Sequence, residues 1–245
     1  MSSSPPIVKE PLAPPAIPEH AAAFIFLHGL GDDAHGWENI AEQFQNAKKL
    51  PYLRWIFPNA PENRDALQQA WYAPTPLSPF PSQRPELDDE EDEEGLKRGV
   101  AYVDSLIDEL KDRGIPLNRV VLGGFSQGCA VTLLSGLMSK HSGKLAGLVC
   151  LSGYMPLIDK IQHLRSAADH PATMGETPIF VARGTRDVLV PRRYLTLCVD
   201  KLRELGVNDS ALEVHEYEGL AHAASREELR DLCHWLEKVI PALEN

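Results

Sequence analysis

The sequence predicts an α/β fold in which a mostly parallel central sheet is covered by helices on both faces. Short apolar runs alternate with segments whose apolar residues recur at helical spacing, and this order is typical of a parallel sheet built from β–α units. Most of the runs are apolar at every position, as expected for strands that are buried on both sides. The chain has 245 residues, of which 43% are hydrophobic, enough for a packed core without disulfides or a structural metal.

Six segments predict the strands of this sheet. Runs dominated by apolar residues span residues 24–27, 54–57, 120–122, 147–151 and 179–182. Residues 212–217 instead alternate between apolar and polar side chains, which predicts a strand with one more exposed face.

Helices are predicted between these strands and at the end of the chain, because apolar residues recur there every three or four positions. Pro191 suits the first turn of one helix, and Ser225 with Glu228 forms the pattern of a capping box at the start of the last one. The apolar stripes are Trp37, Ile40, Ala41 and Phe44; Val100, Val103, Ile107 and Leu110; Ala130, Leu133, Leu134 and Leu137; Leu195, Cys198, Leu202 and Leu205; and Leu229, Leu232, Leu236 and Val239.

Residues 20–245 are predicted to form a single α/β domain, preceded by a Pro-rich N-terminal extension, residues 1–19. The extension holds six prolines, so we expect it to be poorly ordered. Residues 71–94 are predicted to form a lid-like loop, because residues 72–87 follow neither periodicity and the segment is rich first in proline and then in acids. The apolar side chains of this loop are Trp71, Tyr72, Leu77 and Phe80.

The charge of the chain excludes nucleic acid as a partner. The formal net charge is −11, of which seven negative charges lie together in residues 88–94 and leave −4 for the rest. Phosphate backbones select for clustered Lys and Arg instead. We interpret the acidic run as a solvated loop.

No segment of the sequence predicts targeting, a stable membrane span or a metal site. The N-terminus lacks the basic and apolar regions of a secretory signal, and no apolar run approaches the roughly 18 residues of a membrane span. The four cysteines are scattered without metal-binding or disulfide spacing. We therefore expect no cofactor, and a cytoplasmic location with the nucleus as a second one.

Residues 124–128 read Gly-Phe-Ser-Gln-Gly and match the G-x-S-x-G motif. The match directly follows one predicted strand and precedes a predicted helix, which is the setting of a nucleophile elbow. In such an elbow a sharp turn raises the serine hydroxyl above the sheet, and the glycines avoid Cβ clashes. The sequence therefore predicts Ser126 as a nucleophile.

A serine nucleophile needs a base, and in this arrangement the acid and then the histidine follow it along the chain. Asp187 lies shortly after the predicted strand 179–182 and before a helix. Asp200 lies within a helical stripe, and Asp209 precedes a strand instead of following one. Asp187 is therefore the expected acid.

Three histidines lie beyond Asp187. His215 falls inside an alternating strand and His234 inside the last helix, whereas His222 follows a strand and precedes the capped helix. We therefore expect His222 to take the proton of Ser126 as the general base.

The oxyanion of an acyl transfer needs backbone N–H donors. The N–H of Gln127 directly follows the nucleophile, and the glycines of the turn 28–31 allow a close approach of Leu30. We predict Leu30 and Gln127 as the two donors, and His28 as a residue that orients this turn.

The same turn also matches the dinucleotide pattern G-x-G-x-x-G/A, because Gly29, Gly31 and Ala34 follow a strand. Asp32 and Asp33 oppose this alternative, since they place negative charge where a pyrophosphate would lie. No acid for a ribose follows the second predicted strand. A dehydrogenase is therefore the weaker interpretation.

Together these segments resemble the acyl-protein thioesterase, lysophospholipase and carboxylesterase family of the α/β-hydrolases, over about residues 22–241. The resemblance rests on residues 26–32 (FLHGLGD), 122–128 (LGGFSQG), 187–191 (DVLVP) and 217–222 (YEGLAH). It implies the α/β-hydrolase fold, a triad of Ser126, Asp187 and His222, and oxyanion donors at Leu30 and Gln127. Family members cleave fatty acyl thioesters, notably S-palmitoyl cysteine on proteins, and accept lysophospholipids and small carboxylic esters without a cofactor.

The chain departs from the family pattern at three short motifs and in the loop after Ala73. Arg183-Gly184 stands where members usually have His-Gly, Trp71-Tyr72-Ala73 replaces the common Trp-Phe-Asp, and Cys129 follows the elbow where glycine is common. The loop after Ala73 is also longer and richer in proline, which bears on the preference for acyl chains.

We therefore predict a serine hydrolase that cleaves acyl thioesters, with fatty-acylated proteins or lipid esters as partners. A general carboxylesterase or lysophospholipase acting on oxygen esters is the alternative within enzymes. A non-catalytic binding module on this fold would lack a triad residue, and none is missing. A weak homodimer is compatible with the sequence. The expected substrate contacts are Leu30, Trp71, Tyr72, Leu77, Phe80 and Leu189.

Overall fold

A computed structural model describes residues 4–84, 90–171 and 176–243. In chain order the strands are β1 (Ile7–Lys9), β2 (Ala22–Leu27), β3 (Leu53–Phe57), β4 (Glu62–Asn63), β5 (Gln68–Gln69), β6 (Val120–Phe125), β7 (Gly147–Leu151), β8 (Ile179–Gly184) and β9 (Leu212–Tyr217). The helices are α1 (Glu38–Asn46), α2 (Glu93–Asp112), α3 (Gln127–Met138), α4 (Ile161–Ala167), α5 (Arg192–Glu204) and α6 (Arg226–Val239).

The described residues form a seven-stranded sheet in the order β1-β3-β2-β6-β7-β8-β9. Strands β2, β3 and β6 to β9 pair in parallel, and only the edge strand β1 is antiparallel to its neighbour. This confirms the predicted α/β class with a mostly parallel sheet. Because parallel strands share one direction, the loops after β2, β6, β8 and β9 emerge at the same edge.

The sheet separates two apolar cores, as alternate side chains of β2 show. Every residue of β2 is buried, with Ile25 in one core and Phe24 in the other. Residues of α2, α3 and α5 pack on the side of Ile25, and those of α1 and α6 pack on the side of Phe24. The two-residue period of a strand therefore explains the continuous apolar runs, since both faces are covered.

The N-terminal extension is not the poorly ordered segment that its proline content predicts. Ile7–Lys9 pair with β3 as an antiparallel edge strand, and Lys9 forms ion pairs with Glu38 at 2.6 Å and Glu42 at 2.9 Å. The short segment between the prolines keeps its backbone N–H groups, and it covers the otherwise open edge of β3.

The acidic run is only partly the solvated loop that we expected. Asp92 accepts the N–H of Gly95 at 2.8 Å as the N-cap of α2, and Glu93 and Glu94 lie in its first turn. Acids are favourable there because the N-terminus of a helix carries partial positive charge. The predicted lid-like loop therefore ends before residue 94, and Asp88 and Asp89 lie outside the described residues.

The other predicted strands and helices are present, and several extend beyond the apolar residues that predicted them. Helix α4 and the two-residue strands β4 and β5 were not predicted. Pro191 immediately precedes α5, and the predicted capping box at the start of α6 is present, with the Ser225 hydroxyl accepting the N–H of Glu228 at 3.1 Å. In the part of the chain that the structure describes, no helix combines the length and apolarity needed to cross a membrane.

Glu228 leads to a prediction about stability and pH. It is fully buried, its Oε2 accepts the N–H of Ser225 at 3.2 Å, and Oε1 has no hydrogen-bond partner among the described residues. Burial raises the pKa of Glu228 from 4.5 to about 7. Between these two pH values the folded chain keeps a proton that the unfolded chain releases, so the free energy of unfolding falls as pH rises.

We expect Glu228→Gln to raise the free energy of unfolding at pH 8 by about 2 kcal/mol and to flatten its dependence on pH between 5 and 8. The matched control is Glu227→Gln, because that neighbouring carboxylate lies on the exposed side of the same turn. Urea unfolding of the three proteins at pH 5 and pH 8 measures the effect. An unchanged slope in Glu228→Gln would contradict the prediction.

Candidate active site

Ser126 occupies the strained turn between β6 and α3 that the motif predicts. Its φ is 54° and its ψ is −116°, a conformation that costs free energy for a residue with a Cβ. The flanking glycines are required because backbone passes close to them: a Cβ on Gly124 would lie 2.4 Å from the carbonyl carbon of Gly128, and one on Gly128 would lie 2.3 Å from the carbonyl oxygen of Leu27.

Asp187 and His222 meet although 35 residues separate them in the chain. Asp187 follows β8, His222 follows β9, and Nδ1 of His222 lies 2.7 Å from Oδ2 of Asp187. The other carboxylate oxygen accepts the backbone N–H groups of Leu189 at 3.0 Å and Val190 at 2.9 Å. The carboxylate is therefore held by its own loop on one side and holds the imidazole on the other.

The surroundings of Asp187 keep its carboxylate charged. Burial by itself would raise the pKa of Asp187, but the hydrogen bonds with His222 and with the amides of Val190 and Leu189 outweigh it, and the pKa lies below its ordinary value. An ionised carboxylate in this position can fix the tautomer of the imidazole and stabilise its cation.

One cavity joins the nucleophile and the imidazole. It has a volume of about 370 Å³, and Ser126, Gln127 and His222 all line it. Its remaining walls are mainly apolar or aromatic, and they consist of Leu30, Asp32, Tyr72, Pro74, Thr75, Leu77, Phe125, Tyr154, Leu189 and Val190. The site thus combines a hydroxyl, a base and apolar surface for a substrate.

The two residues predicted as oxyanion donors line the same cavity as Ser126. Gln127 begins α3 directly after the serine, and Leu30 lies on the turn after β2 and lines the same cavity. A Cβ on Gly29 would lie 3.3 Å from the Cβ of Ser126, so this turn approaches the nucleophile closely. The same contact argues against the dinucleotide interpretation, because the turn faces a serine.

The side chain of Gln127 fixes its own backbone position. Its Oε1 accepts the N–H of Trp71, and its Nε2 donates to the carbonyl of Tyr72, both at 2.8 Å. The first turn of α3 is therefore tied to the chain after β5, which keeps the backbone N–H of Gln127 in a constant place.

His28 orients the turn that carries Leu30, as predicted from its position. Its Nε2 accepts the N–H of Ala60 at 3.0 Å, so Nδ1 carries the proton and donates to the carbonyl of Gly29 at 2.7 Å. Burial lowers the pKa of His28, which favours this neutral form.

Trp71 does not line the catalytic cavity, although we expected it to contact substrate. Its indole N–H donates to the carbonyl of His28 at 2.9 Å, and its ring faces a separate cleft of about 570 Å³ shared with Arg98 and Tyr102. A buried indole needs a partner for its N–H, and the carbonyl of His28 supplies it here. Trp71 therefore stabilises the turn that begins at His28 and forms no part of the wall of the catalytic cavity.

Phe80 is the second expected contact that lies elsewhere. It is 60% exposed and does not line the cavity. The loop turns before it, because Ser78 is anchored to α5: its N–H donates to the hydroxyl of Tyr194 at 2.9 Å, and Nε of Arg193 donates to its carbonyl at 2.6 Å. Of the six expected contacts, Leu30, Tyr72, Leu77 and Leu189 line the cavity.

Tyr154 and Asp32 line the cavity but were not predicted to do so. Tyr154 accepts the hydroxyl proton of Tyr72 at 2.9 Å, and burial raises the pKa of both hydroxyls. One signal was available in the sequence, since Tyr154 follows a parallel strand at the edge of the sheet that binds ligands. Asp32 accepts the indole N–H of Trp37 at 2.8 Å.

Comparison with known proteins agrees with this geometry. The model of the phospholipase/carboxylesterase family matches residues 13–240. Acyl-protein thioesterase 1 of Yarrowia lipolytica is 39% identical over 92% of this chain and 95% of its own, and that of Neurospora crassa is 37% identical over 95% and 93%. The crystal structure of acyl-protein thioesterase 2 from Zea mays, at 27% identity, has a TM-score of 0.78 and covers 96% of this chain and 98% of its own.

The family match spans nearly the whole chain, and the sheet order and the elbow are those of an α/β-hydrolase. These findings favour a hydrolase over the dehydrogenase and the non-catalytic binding module. The chain belongs to the phospholipase/carboxylesterase family and is a serine hydrolase.

Proposed function

We propose that this enzyme cleaves long-chain acyl thioesters, above all S-palmitoyl cysteine on proteins, through a triad of Ser126, His222 and Asp187. The observation that carries the proposal is the single cavity that joins Ser126 and His222 to apolar walls such as Leu77 and Leu189. A fatty acyl chain needs apolar surface next to the nucleophile. The names of the relatives in Yarrowia lipolytica and Neurospora crassa support the same substrate class.

The first half of the reaction forms an acyl-enzyme. His222 takes the proton of the Ser126 hydroxyl as its oxygen attacks the thioester carbonyl, and Asp187 stabilises the imidazolium that results. The N–H groups of Leu30 and Gln127 hold the oxyanion, and removing one such donor typically costs about 3–4 kcal/mol of transition-state stabilisation. The carbon–sulfur bond then breaks, and His222 gives its proton to the departing thiolate.

The second half releases the fatty acid. His222 takes a proton from a water molecule, whose oxygen attacks the acyl-enzyme at the same carbonyl carbon. The bond to Ser126 breaks, and the serine oxygen regains its proton from His222. No cofactor is needed for either half.

The experiment that tests the substrate class compares three substrates built on the same peptide: a palmitoyl thioester, the matching palmitoyl oxygen ester and an acetyl thioester. We expect kcat/KM to be highest for the palmitoyl thioester. Preference for the acetyl substrate would overturn the long-chain proposal, and equal use of the oxygen ester would favour the general carboxylesterase or lysophospholipase.

Two variants of the loop sharpen this test. Leu77→Ala removes a side chain that lines the cavity, so we expect kcat/KM for the palmitoyl substrate to fall by about tenfold, with little change for the acetyl one. Phe80→Ala is the matched control, because Phe80 belongs to the same loop but lies outside the cavity. Equal losses in the two variants would contradict a role of Leu77 in binding the acyl chain.

We further infer that the enzyme acts in the cytoplasm, where S-acylated proteins expose their thioesters, with the nucleus as a second location. Fractionation of cells that express the tagged full chain tests this inference. The weak homodimer stays a prediction, and sedimentation of the purified protein over a range of concentrations tests it.

A further inference from the structure

Arg183 is a buried guanidinium beneath the loop that carries Asp187. It lies in β8 and is only 4% exposed. Its Nη2 donates to the backbone carbonyl of Asp187 at 3.1 Å and to that of Val190 at 3.4 Å. One nitrogen of the guanidinium therefore ties together the two ends of the turn 187–190.

The same turn holds the carboxylate of Asp187. The N–H groups of Leu189 and Val190 donate to one carboxylate oxygen, and the other oxygen contacts His222. Contacts thus run without interruption from Arg183 through the turn to the imidazole. A displacement of the turn would move the carboxylate, because its two amide donors move with the backbone.

Glu216 holds Arg183 from the neighbouring strand. The two residues are directly opposite each other in the β8–β9 register, and Nη1 of Arg183 lies 3.2 Å from Oε1 of Glu216. Glu216 is also bound by Arg192, whose Nη2 lies 2.7 Å from Oε2. The hydrogen bond from Arg192, opposed by burial and reinforced by Arg183, lowers the pKa of Glu216. The buried guanidinium therefore has a charged partner at neutral pH, as its burial requires.

These contacts need the shape of an arginine. The planar guanidinium carries five N–H donors in a fixed fork, and it can serve two carbonyls and a carboxylate at once. A lysine has a similar charge but concentrates its donors at one atom.

We propose that Arg183, held by Glu216, is a positioning residue for the catalytic acid. The inference rests on the triad of the proposed function and extends it. Arg183 touches no reacting atom; it keeps the turn 187–190 in the arrangement in which Asp187 fixes the orientation and tautomer of His222. Arg183 therefore affects kcat and not the binding of substrate, because it does not line the catalytic cavity.

A double-mutant cycle tests this role. Arg183→Lys and Asp187→Asn are made singly and together, and kcat and KM are measured with a short aryl ester. We expect Arg183→Lys to lower kcat about 10- to 100-fold and to leave KM within about twofold. In the Asp187→Asn background the same change should lower kcat less than about threefold, because the acid it positions no longer functions.

Glu216→Gln gives a second measurement if Arg183→Lys fails to fold. It keeps the arginine but removes its charged partner, so we expect kcat to fall about tenfold. In the Asp187→Asn background we expect a much smaller fall, as for Arg183→Lys.

Arg119→Lys is the matched control for the loss of a buried arginine. Arg119 lies just before β6, at the end opposite the elbow, and its guanidinium donates to the carbonyls of Pro241 at 2.7 Å and His20 at 3.1 Å. We expect a lower melting temperature with kcat within about twofold.

Equal falls of kcat in the two backgrounds, or an equal fall in Arg119→Lys, would overturn the positioning role alone. Activity of Ser126→Ala would overturn the triad and the role of Arg183 together. Failure to cleave palmitoyl thioesters would overturn only the substrate class, because the cycle uses an aryl ester.

Discussion

Replacing Ser126 by alanine is expected to lower kcat by roughly a millionfold, because it removes the hydroxyl that attacks the substrate. The strained turn at φ 54° should persist, since the elbow depends on its glycines and alanine retains only the Cβ already present. Hydrolysis of an aryl ester measures the loss. Labelling with a fluorophosphonate, followed by mass spectrometry of the modified peptide, locates the nucleophile.

Ser152→Ala is the control for this experiment. Ser152 is also buried after a strand of the sheet and has a φ of 45°, but it does not line the catalytic cavity. We expect this variant to keep both turnover and the mass shift on Ser126. A fluorophosphonate adduct elsewhere in Ser126→Ala, with turnover preserved, would show that another residue is the nucleophile.

Replacing Asp187 by asparagine is expected to lower kcat by about ten thousandfold with the fold intact. The amide cannot stabilise an imidazolium, and its NH₂ group can hold the ring in the wrong tautomer. Asp187 also contributes to stability: since its pKa is lowered in the folded chain, the carboxylate stabilises the fold above its unfolded pKa of about 4, and this contribution is lost as pH falls below it.

The matched controls are the two other aspartates that the sequence analysis considered for the role of the acid. Asp200 lies in α5 and Asp209 precedes β9, and both contact Arg203 on the surface. We expect Asp200→Asn and Asp209→Asn to keep kcat within about twofold, because neither approaches His222. Kinetics on the same aryl ester compare the three variants. A loss in Asp200→Asn or Asp209→Asn as large as that in Asp187→Asn would refute the assignment.

Predictions from the sequence were most accurate for features that depend on residues close together in the chain. Gly124 is required by the backbone of Gly128, only a few residues away, and the capping box of α6 needs only Ser225 and Glu228. Continuous apolar runs and helical stripes likewise indicate which faces of a strand or helix are buried. The class of the fold, the elbow and the chain order of acid and base were therefore predictable.

Predictions were weaker for side chains on long connections. Trp71 and Phe80 belong to one apolar segment, but one supports the turn of His28 and the other is exposed. Composition reports that a loop contains apolar side chains and does not report which of them turn inward. That choice depends on anchors such as Tyr194, which lies more than a hundred residues further along the chain.

From the sequence alone follow the parallel sheet, the nucleophile elbow and the pairing of Asp187 with His222, because each depends on neighbours in the chain or on the shared direction of parallel strands. The tertiary structure decided that Ile7–Lys9 close the sheet edge, which side chains of the loop form the cavity, and that Arg183 meets Glu216 beneath the acid. These contacts join segments far apart in the chain. Their free energy arises only once folding has brought both partners together, so no local pattern encodes them.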